Sequence, residues 1–292
     1  MGLTPGFRSR SVWHMKLRFL LGLPVVTLVL AGRCLAADKV ATVTESVNDV
    51  SHGHSQSTAS DPAPTGTQLH DGEYIKTGSS SRAELQFSNK TISRLGANTI
   101  FNYSASANQV DLQAGTILFS KPKDGQQLNI KTEAVTAAIV GTTGFLQVQH
   151  HNGHTTTLFG LIEGHANVTA GGNDPEIGPG QIFVFTPGAP PQIFSFNVPL
   201  FLKTSLLYKG FHGTLPNQVY INAEIALYNS LVAGGFIQPV NGPYYAFGNL
   251  LLGPEFPVVT TDSAGSGINN FNTDRTPPPQ TPPPTRTCCW WR

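Results

Sequence analysis

A short turn pattern recurs along the middle of this chain, and it constrains the fold more than any other feature. An apolar residue, two variable residues and a glycine precede a stretch in which apolar and polar residues alternate. Glycine reaches positive φ at little steric cost, so it suits a tight turn, and alternation is typical of a strand with one buried face. The pattern occurs at residues 69–72, 112–115, 161–164 and 177–180.

Further strand signals lie between these turns. Residues 82–87 alternate, and Asn152-Gly153 is a strong hairpin signal. The 30 glycines and 22 prolines disfavour long helices. The turns are irregularly spaced, which argues against a repeat of fixed period. The sequence therefore predicts a mainly β fold, either a sandwich or a β-roll-like stack of short strands.

The first 37 residues have the pattern of a secretory signal peptide. Lys16 and Arg18 precede an apolar run at 19–30, and small residues follow it. A start at Met15 would give a signal of conventional length. The run is short for a transmembrane helix, although an uncleaved membrane anchor is the alternative. We expect an exported protein, periplasmic or extracellular, with no integral membrane segment after signal removal.

The rest of the chain divides into four segments by composition. They are an N-terminal strand and polar loop (38–66), a β domain (67–186), a C-terminal extension (187–260) and a Pro-rich tail (261–292). The extension is predicted to be small and helical or irregular, with approximate helical spacing at 198–211 and 219–232. The tail cannot bury a core, and we expect it to be disordered. Cys288 and Cys289, close to its end, receive no role.

Taken in order, the turns and strands of the β domain resemble the FecR-type periplasmic domain. The resemblance covers about residues 67–186 and rests on a set of matched positions. These are Leu69, Gly72, Thr77, Ser81, Ala83, Leu112, Gly115, Thr132, Ala137, Gly141, Thr142, Phe145, Glu163, Gly164, Gly180 and Gln181. The resemblance implies a β domain located in the cell envelope.

The best-known FecR proteins resemble relays across the envelope. In them an outer-membrane transporter contacts the periplasmic domain, and a cytoplasmic segment controls a sigma factor. This sequence shows no cytoplasmic helical segment ahead of the apolar run at 19–30. The resemblance therefore implies the domain and its compartment, and the relay role is not carried over.

Charge and motif content argue against several functions. After residue 37 the chain holds 13 basic and 17 acidic residues, so it lacks the basic surface that nucleic acid requires. No Gly-x-Ser-x-Gly nucleophile motif is present. The carboxylates of the β domain are scattered along it, at Asp71, Glu73, Glu84, Asp111, Glu133 and Glu163. We predict no catalytic residue, no enzyme activity and no cofactor.

The candidate site residues are turn glycines with a structural role and a histidine-rich stretch. The turn glycines predicted to shape the domain are Gly72, Gly115, Gly141, Gly164 and Gly180. The histidine-rich stretch of His150, His151 and His154 could contribute imidazole ligands to a metal. Since no Asp, Glu or Cys lies between residues 145 and 162 to complete the shell, we predict no metal site there.

The function predicted from these features is that of an exported, noncatalytic binding or scaffold module. Its expected partner is an envelope protein or a cell-surface polymer. One alternative is a periplasmic sensory component of a trans-envelope signalling system. Another is a glycan-active enzyme, which would require two carboxylates that converge in a cleft.

Overall fold

The structure is a computed structural model that describes residues 41–104, 106–151 and 153–237. The predicted signal peptide, the Pro-rich tail and the extension beyond residue 237 lie outside these ranges. The described part is mostly β, which confirms the predicted fold class.

Seventeen strands and three short helices make up the described residues. The strands are β1 (Ala41–Val47), β2 (Val50–Gly53), β3 (Asp61–Pro62), β4 (Gln68–Leu69), β5 (Tyr74–Thr77), β6 (Arg82–Phe87), β7 (Ile92–Leu95), β8 (Ile100–Ser104), β9 (Gln109–Ser120), β10 (Leu128–Lys131), β11 (Thr136–Ile139), β12 (Thr143–His151), β13 (His154–Glu163), β14 (Ala166–Thr169), β15 (Glu176–Ile177), β16 (Gln181–Phe185) and β17 (Gln192–Ser195). The helices are α1 (Val198–Thr204), α2 (Leu206–Lys209) and α3 (Gln218–Ala233).

These strands form one hydrogen-bonded network that divides into two layers. The first layer runs β4–β1–β6–β7–β9–β12–β13–β16–β17, with every pair antiparallel. The second layer runs β3–β2–β5–β8–β9–β10–β11–β14–β15. The pair β9–β10 is parallel, and the other pairs of the second layer are antiparallel. Strands β1 and β2, ahead of residue 67, thus belong to the same network as the rest.

Strand β9 belongs to both layers, and its sequence shows the change. Its first residues alternate between buried and half-buried, whereas the stretch from Thr116 to Ser120 is buried at every position. Gly115, at the junction, has φ 87°. A strand that is buried at every position needs cover on both of its faces. The burial pattern therefore shows that the two halves of β9 lie in different surroundings.

The apolar faces of the two layers form one core. It includes Leu85, Phe119 and Phe159 of the first layer together with Phe101 and Ile130 of the second. The other face of the first layer forms a second cluster with the C-terminal extension. Its members are Ile92, Leu118, Phe145, Leu158, Ile162, Ile182, Phe196, Val198, Phe201, Leu202, Leu207, Leu215 and Ile221. The architecture is therefore two β layers, one of which is covered by helices.

The helices occur close to the predicted positions, but α3 does not pack through the residue at which the predicted spacing begins. Val219, the first residue of the predicted helical spacing at 219–232, is 77% exposed. Ile221 is buried instead, and Ile225, one turn further along, packs beside it. Among the described residues no helix is both long and apolar enough to cross a membrane.

Candidate functional site

The parallel pair β9–β10 opens into a cleft at its carboxyl ends. Asp111 and Lys131 are the last residues to pair. Beyond them β9 continues into the first layer, while the chain after Lys131 turns at Thr132 and returns as β11. The diverging strands leave a cleft of about 570 Å³.

Polar side chains from several elements line this cleft. Asp111 and Gln113 come from β9, Lys131 from β10, Glu133 from the turn after it, and His150 from the end of β12. The second layer directs alternate side chains outward, which places Asp111, Gln113 and Lys131 on its outer face.

The electrostatics of the cleft centre on Asp111. Burial raises the pKa of its carboxyl above the ordinary value, and the nearby Lys131 ammonium offsets only part of that effect. The carboxylate of Glu133 accepts a hydrogen bond from the Thr155 hydroxyl at 3.2 Å. The cleft thus combines a partly buried carboxyl, a second carboxylate and an ammonium group with the apolar side chains of Ile100 and Ala114.

The predicted histidine stretch meets this cleft through His150. Its Nδ1 lies 3.0 Å from the Thr155 hydroxyl and its Nε2 lies 2.9 Å from the Gln113 carbonyl oxygen. A metal could reach this imidazole only by displacing one of these contacts. His151 and His154 form the last backbone pair of the hairpin. Within the described ranges no three His, Cys, Asp or Glu residues are grouped closely enough to hold a metal ion.

The five turn glycines all lie where the chain passes between the layers. Their φ values run from 66° to 87°, at Gly72, Gly115, Gly141, Gly164 and Gly180. At Gly115 a Cβ would also lie 2.4 Å from the Thr99 Oγ1 and 2.5 Å from the Thr99 Cα. Both conformation and space therefore require glycine at this position.

Two buried carboxylates, Glu84 and Glu163, hold the extension in place. In the sequence they appeared only as scattered acidic residues. Glu84 accepts a hydrogen bond from the Arg94 Nε at 2.7 Å, and both side chains are almost fully buried. Arg94 also donates to the carbonyl oxygens of Leu207, Tyr208 and Gly213. One guanidinium thus joins β6 and β7 to the segment around α2.

The second carboxylate, Glu163, lies at the end of β13. It accepts hydrogen bonds from the Asn217 Nδ2 at 2.6 Å, the Thr143 hydroxyl at 3.0 Å and the Lys123 ammonium at 3.1 Å. Asn217 directly precedes α3 and also donates to the Lys121 carbonyl oxygen at 2.7 Å. This network fixes the start of α3 against the first layer.

The carboxylates of the domain therefore fall into separate places. Asp111 and Glu133 line one cleft, while Glu84 and Glu163 are occupied in structural contacts on the opposite side of the first layer. Glu73 accepts a hydrogen bond from the His70 N–H at 2.9 Å within its own turn. Asp111 and Glu133 thus line a common cavity beside the Lys131 donor.

Comparison with known proteins assigns the central β segment. Residues 73–167 match the family model described as FecR protein. The match runs from the start of β5 into β14, and it confirms the resemblance seen in the sequence. The chain therefore carries a FecR domain. None of the curated proteins compared with the chain matches it.

Two crystal structures of a protein from Parabacteroides distasonis ATCC 8503, provisionally assigned as an anti-sigma factor, are also similar. Both are 11% identical to this chain, and the alignment covers 42% of it. Their TM-scores are 0.38 and 0.37. The chain spans 59% of the length of these structures, less than two thirds.

Proposed function

We propose that this chain is an exported, noncatalytic FecR-domain protein that acts as a binding or scaffold module in the cell envelope. The observation that carries the proposal is the contrast between the two layers. The outer face of the first layer is covered by the chain's own extension. The second layer presents polar side chains on its outer face, with Asn167 and Thr169 exposed on β14. That face is the surface offered to a partner.

The noncatalytic part of the proposal is supported by the structural use of three buried charged groups, while Asp111 and Glu133 of the cleft are assigned to binding. Arg94, Glu84 and Glu163 are almost fully buried, and their hydrogen bonds are made to protein groups of the extension and the first layer. Groups held in this way stabilise the fold and have no access to a substrate. The partner is an envelope protein or a cell-surface polymer, and the net negative charge after residue 37 disfavours nucleic acid.

A photocrosslinking experiment in the native host tests this function. A photoreactive amino acid at Asn167 places the probe on the open face, while the same probe at Lys203, on the exposed side of α1, is the matched control. We expect adducts with an exported partner from position 167 and none from position 203. Equal adducts from both positions, or a cytoplasmic location of the native protein, would contradict the proposal.

A sensory role in trans-envelope signalling is the second candidate, and the FecR match favours it. Such a role requires a separate membrane protein to carry the signal onwards. Deletion of the gene should then change transcription controlled by a sigma factor, whereas a scaffold would leave that transcription unchanged. The two candidates share the same exposed surface.

A further inference from the structure

We propose that the cleft where the pairing of β9 with β10 ends, beyond Asp111 and Lys131, binds the hydroxyl groups of an uncharged carbohydrate. The proposal rests on the proposed binding function and names the ligand class for the open face of the second layer. It begins from the cleft of about 570 Å³ lined by Asp111, Gln113, Lys131, Glu133 and His150.

Two residues of the cleft, Asp111 and Lys131, belong to a row of four polar residues that lie side by side on adjacent strands. Tyr74 of β5 pairs with Asn102 of β8, which pairs with Asp111 of β9, which pairs with Lys131 of β10. Adjacent strands are about 4.8 Å apart, so these four residues span roughly 14 Å across the sheet. A row of this length suits an extended ligand with hydrogen-bonding groups at regular intervals, such as an oligosaccharide.

The lining groups match the chemistry of hydroxyls. A hydroxyl both donates and accepts a hydrogen bond, so a site that binds several needs acceptors and donors together. Asp111 and Glu133 supply carboxylate acceptors, Lys131 supplies a donor, and the Gln113 amide supplies both. Hydrogen bonds with one charged partner are stronger than neutral ones, and a partly desolvated carboxyl such as Asp111 favours them further.

Charge disfavours the other ligand classes. A phosphate, a sulfate or an acidic polymer would approach two carboxylates against a single ammonium. A metal ion would lack ligands, because no suitable group of three is found among the described residues. An apolar ligand would leave the polar groups of the cleft without partners. A neutral, polyhydroxylated molecule can form hydrogen bonds with the same groups without charge repulsion and without leaving them unpaired.

An aromatic side chain stands beside the cleft. The Tyr74 hydroxyl accepts a hydrogen bond from the Gln113 Nε2 at 3.3 Å, which holds this side chain next to a lining residue. Ile100, also half-buried, lines the cleft on the same face. The C–H groups of a sugar ring require such apolar surface close to polar groups, as concave ligand sites generally provide.

Binding of the mature full-length chain to an array of oligosaccharides tests the inference. The array carries neutral glucose, mannose, galactose and N-acetylglucosamine oligomers, and sulfated and uronate oligomers represent the anionic class. The test variants are Asp111→Asn and Lys131→Met. Asp174→Asn is the matched control, because Asp174 is exposed in the β14–β15 loop away from the cleft.

We expect binding to a neutral oligomer that is about tenfold or more weaker in both cleft variants, the effect of losing one charge-assisted hydrogen bond. The Asp174→Asn variant should bind as the original chain does. The inference is overturned if no neutral oligomer binds, if only anionic oligomers bind, or if the cleft variants bind normally. These failures leave the crosslinking test of the open face unaffected. Cleavage of a bound oligomer would instead support the cleft and contradict the noncatalytic function.

Discussion

Glu84 and Arg94 lie directly opposite each other on β6 and β7, and their side chains form an ion pair of 2.7 Å that is almost fully buried. The Arg94 guanidinium also lies 4.9 Å from the centre of the Phe211 ring. A surface pair of this kind would contribute little, but a buried one leaves an uncompensated charge when one partner is removed.

Replacing Arg94 should therefore strongly destabilise the protein. We expect Arg94→Met to lower the free energy of unfolding by about 3–5 kcal/mol, measured by urea denaturation. The double variant Glu84→Met with Arg94→Met should lose less free energy of unfolding than the single variant, because it leaves no buried charge without a partner. If the single variant were as stable as the original chain, the buried pair would not join the extension to the sheet.

Asn217 should be the second point on which docking of the extension depends. Asn217→Ala removes the amide that donates to Glu163, and we expect a loss of about 1–3 kcal/mol in the free energy of unfolding. Asn217→Asp should cost more at neutral pH, because it places a second carboxylate against Glu163. The difference between the two variants should shrink as the pH is lowered, and a constant difference would contradict this.

The contact between β1 and the loop after α2 should weaken in acid. Burial alone would raise the pKa of the Glu45 carboxyl, but hydrogen bonds from the His212 side chain and from the N–H groups of His212 and Gly213 lower it below its ordinary value of 4.5. A lowered pKa stabilises the folded state above pH 4.5, and this contribution disappears as the pH falls through the folded-state pKa.

Glu45→Gln should accordingly be less stable than the original chain at neutral pH and equally stable in strong acid. Denaturant unfolding at pH values between 3 and 7 measures this convergence. In a His212→Ala background the effect of Glu45→Gln should be smaller, because the imidazole contact that helps to lower the pKa is lost while the two backbone N–H donors remain. A pH-independent difference would mean that the carboxylate charge is not involved.

Asp111 should show the opposite pH dependence, since its pKa is raised by burial. Protonation of Asp111 favours the folded protein, and this contribution to the free energy of unfolding is lost as the pH rises through the folded-state pKa. Asp111→Asn should therefore be more stable than the original chain at pH 7, with a gain that vanishes in acid. Lys131→Met should make stability fall more steeply with rising pH, because the ammonium that partly offsets the raised pKa of Asp111 is removed. A residue that weakens the fold but improves binding is typical of a functional site.

Gly115 should tolerate alanine far less than Gly125, although both have positive φ. Gly125 has no atom within 4 Å of a Cβ position, so Gly125→Ala should cost only the conformational strain of about 1–2 kcal/mol. Gly115→Ala also meets Thr99 and should lose roughly a further 1–3 kcal/mol. Equal losses in urea denaturation would show that space at the β9 junction is not limiting.

Local sequence signals identified the β class and the FecR segment, because alternation and glycine turns are properties of neighbouring residues. The division of the strands into two layers could not be predicted from the sequence. The segment at 109–120 was noted for its glycine turn, but its division between layers depends on pairing with β8 on one side and β12 on the other. Such partners are distant in sequence, and a single chain gives no direct information on them.

The docking of the extension was also not foreseen, although one signal pointed to it. The strands at 117–119 and 158–162 are buried at nearly every position, a pattern that requires cover on both faces. All four residues of β7, including Arg94, are likewise buried, so this strand shows no alternation of exposed and buried positions. The cleft arises from the tertiary arrangement and had no local signature.

Strand β9 gives the molecule a short mechanical connection between its two sides. Asp111 faces the open cleft, and Leu118 on the same strand packs beneath the helices. Seven residues of extended chain separate them, a distance on the order of 23 Å. A force applied to the open face through β9 is therefore transmitted along its covalent backbone to the helix-covered side.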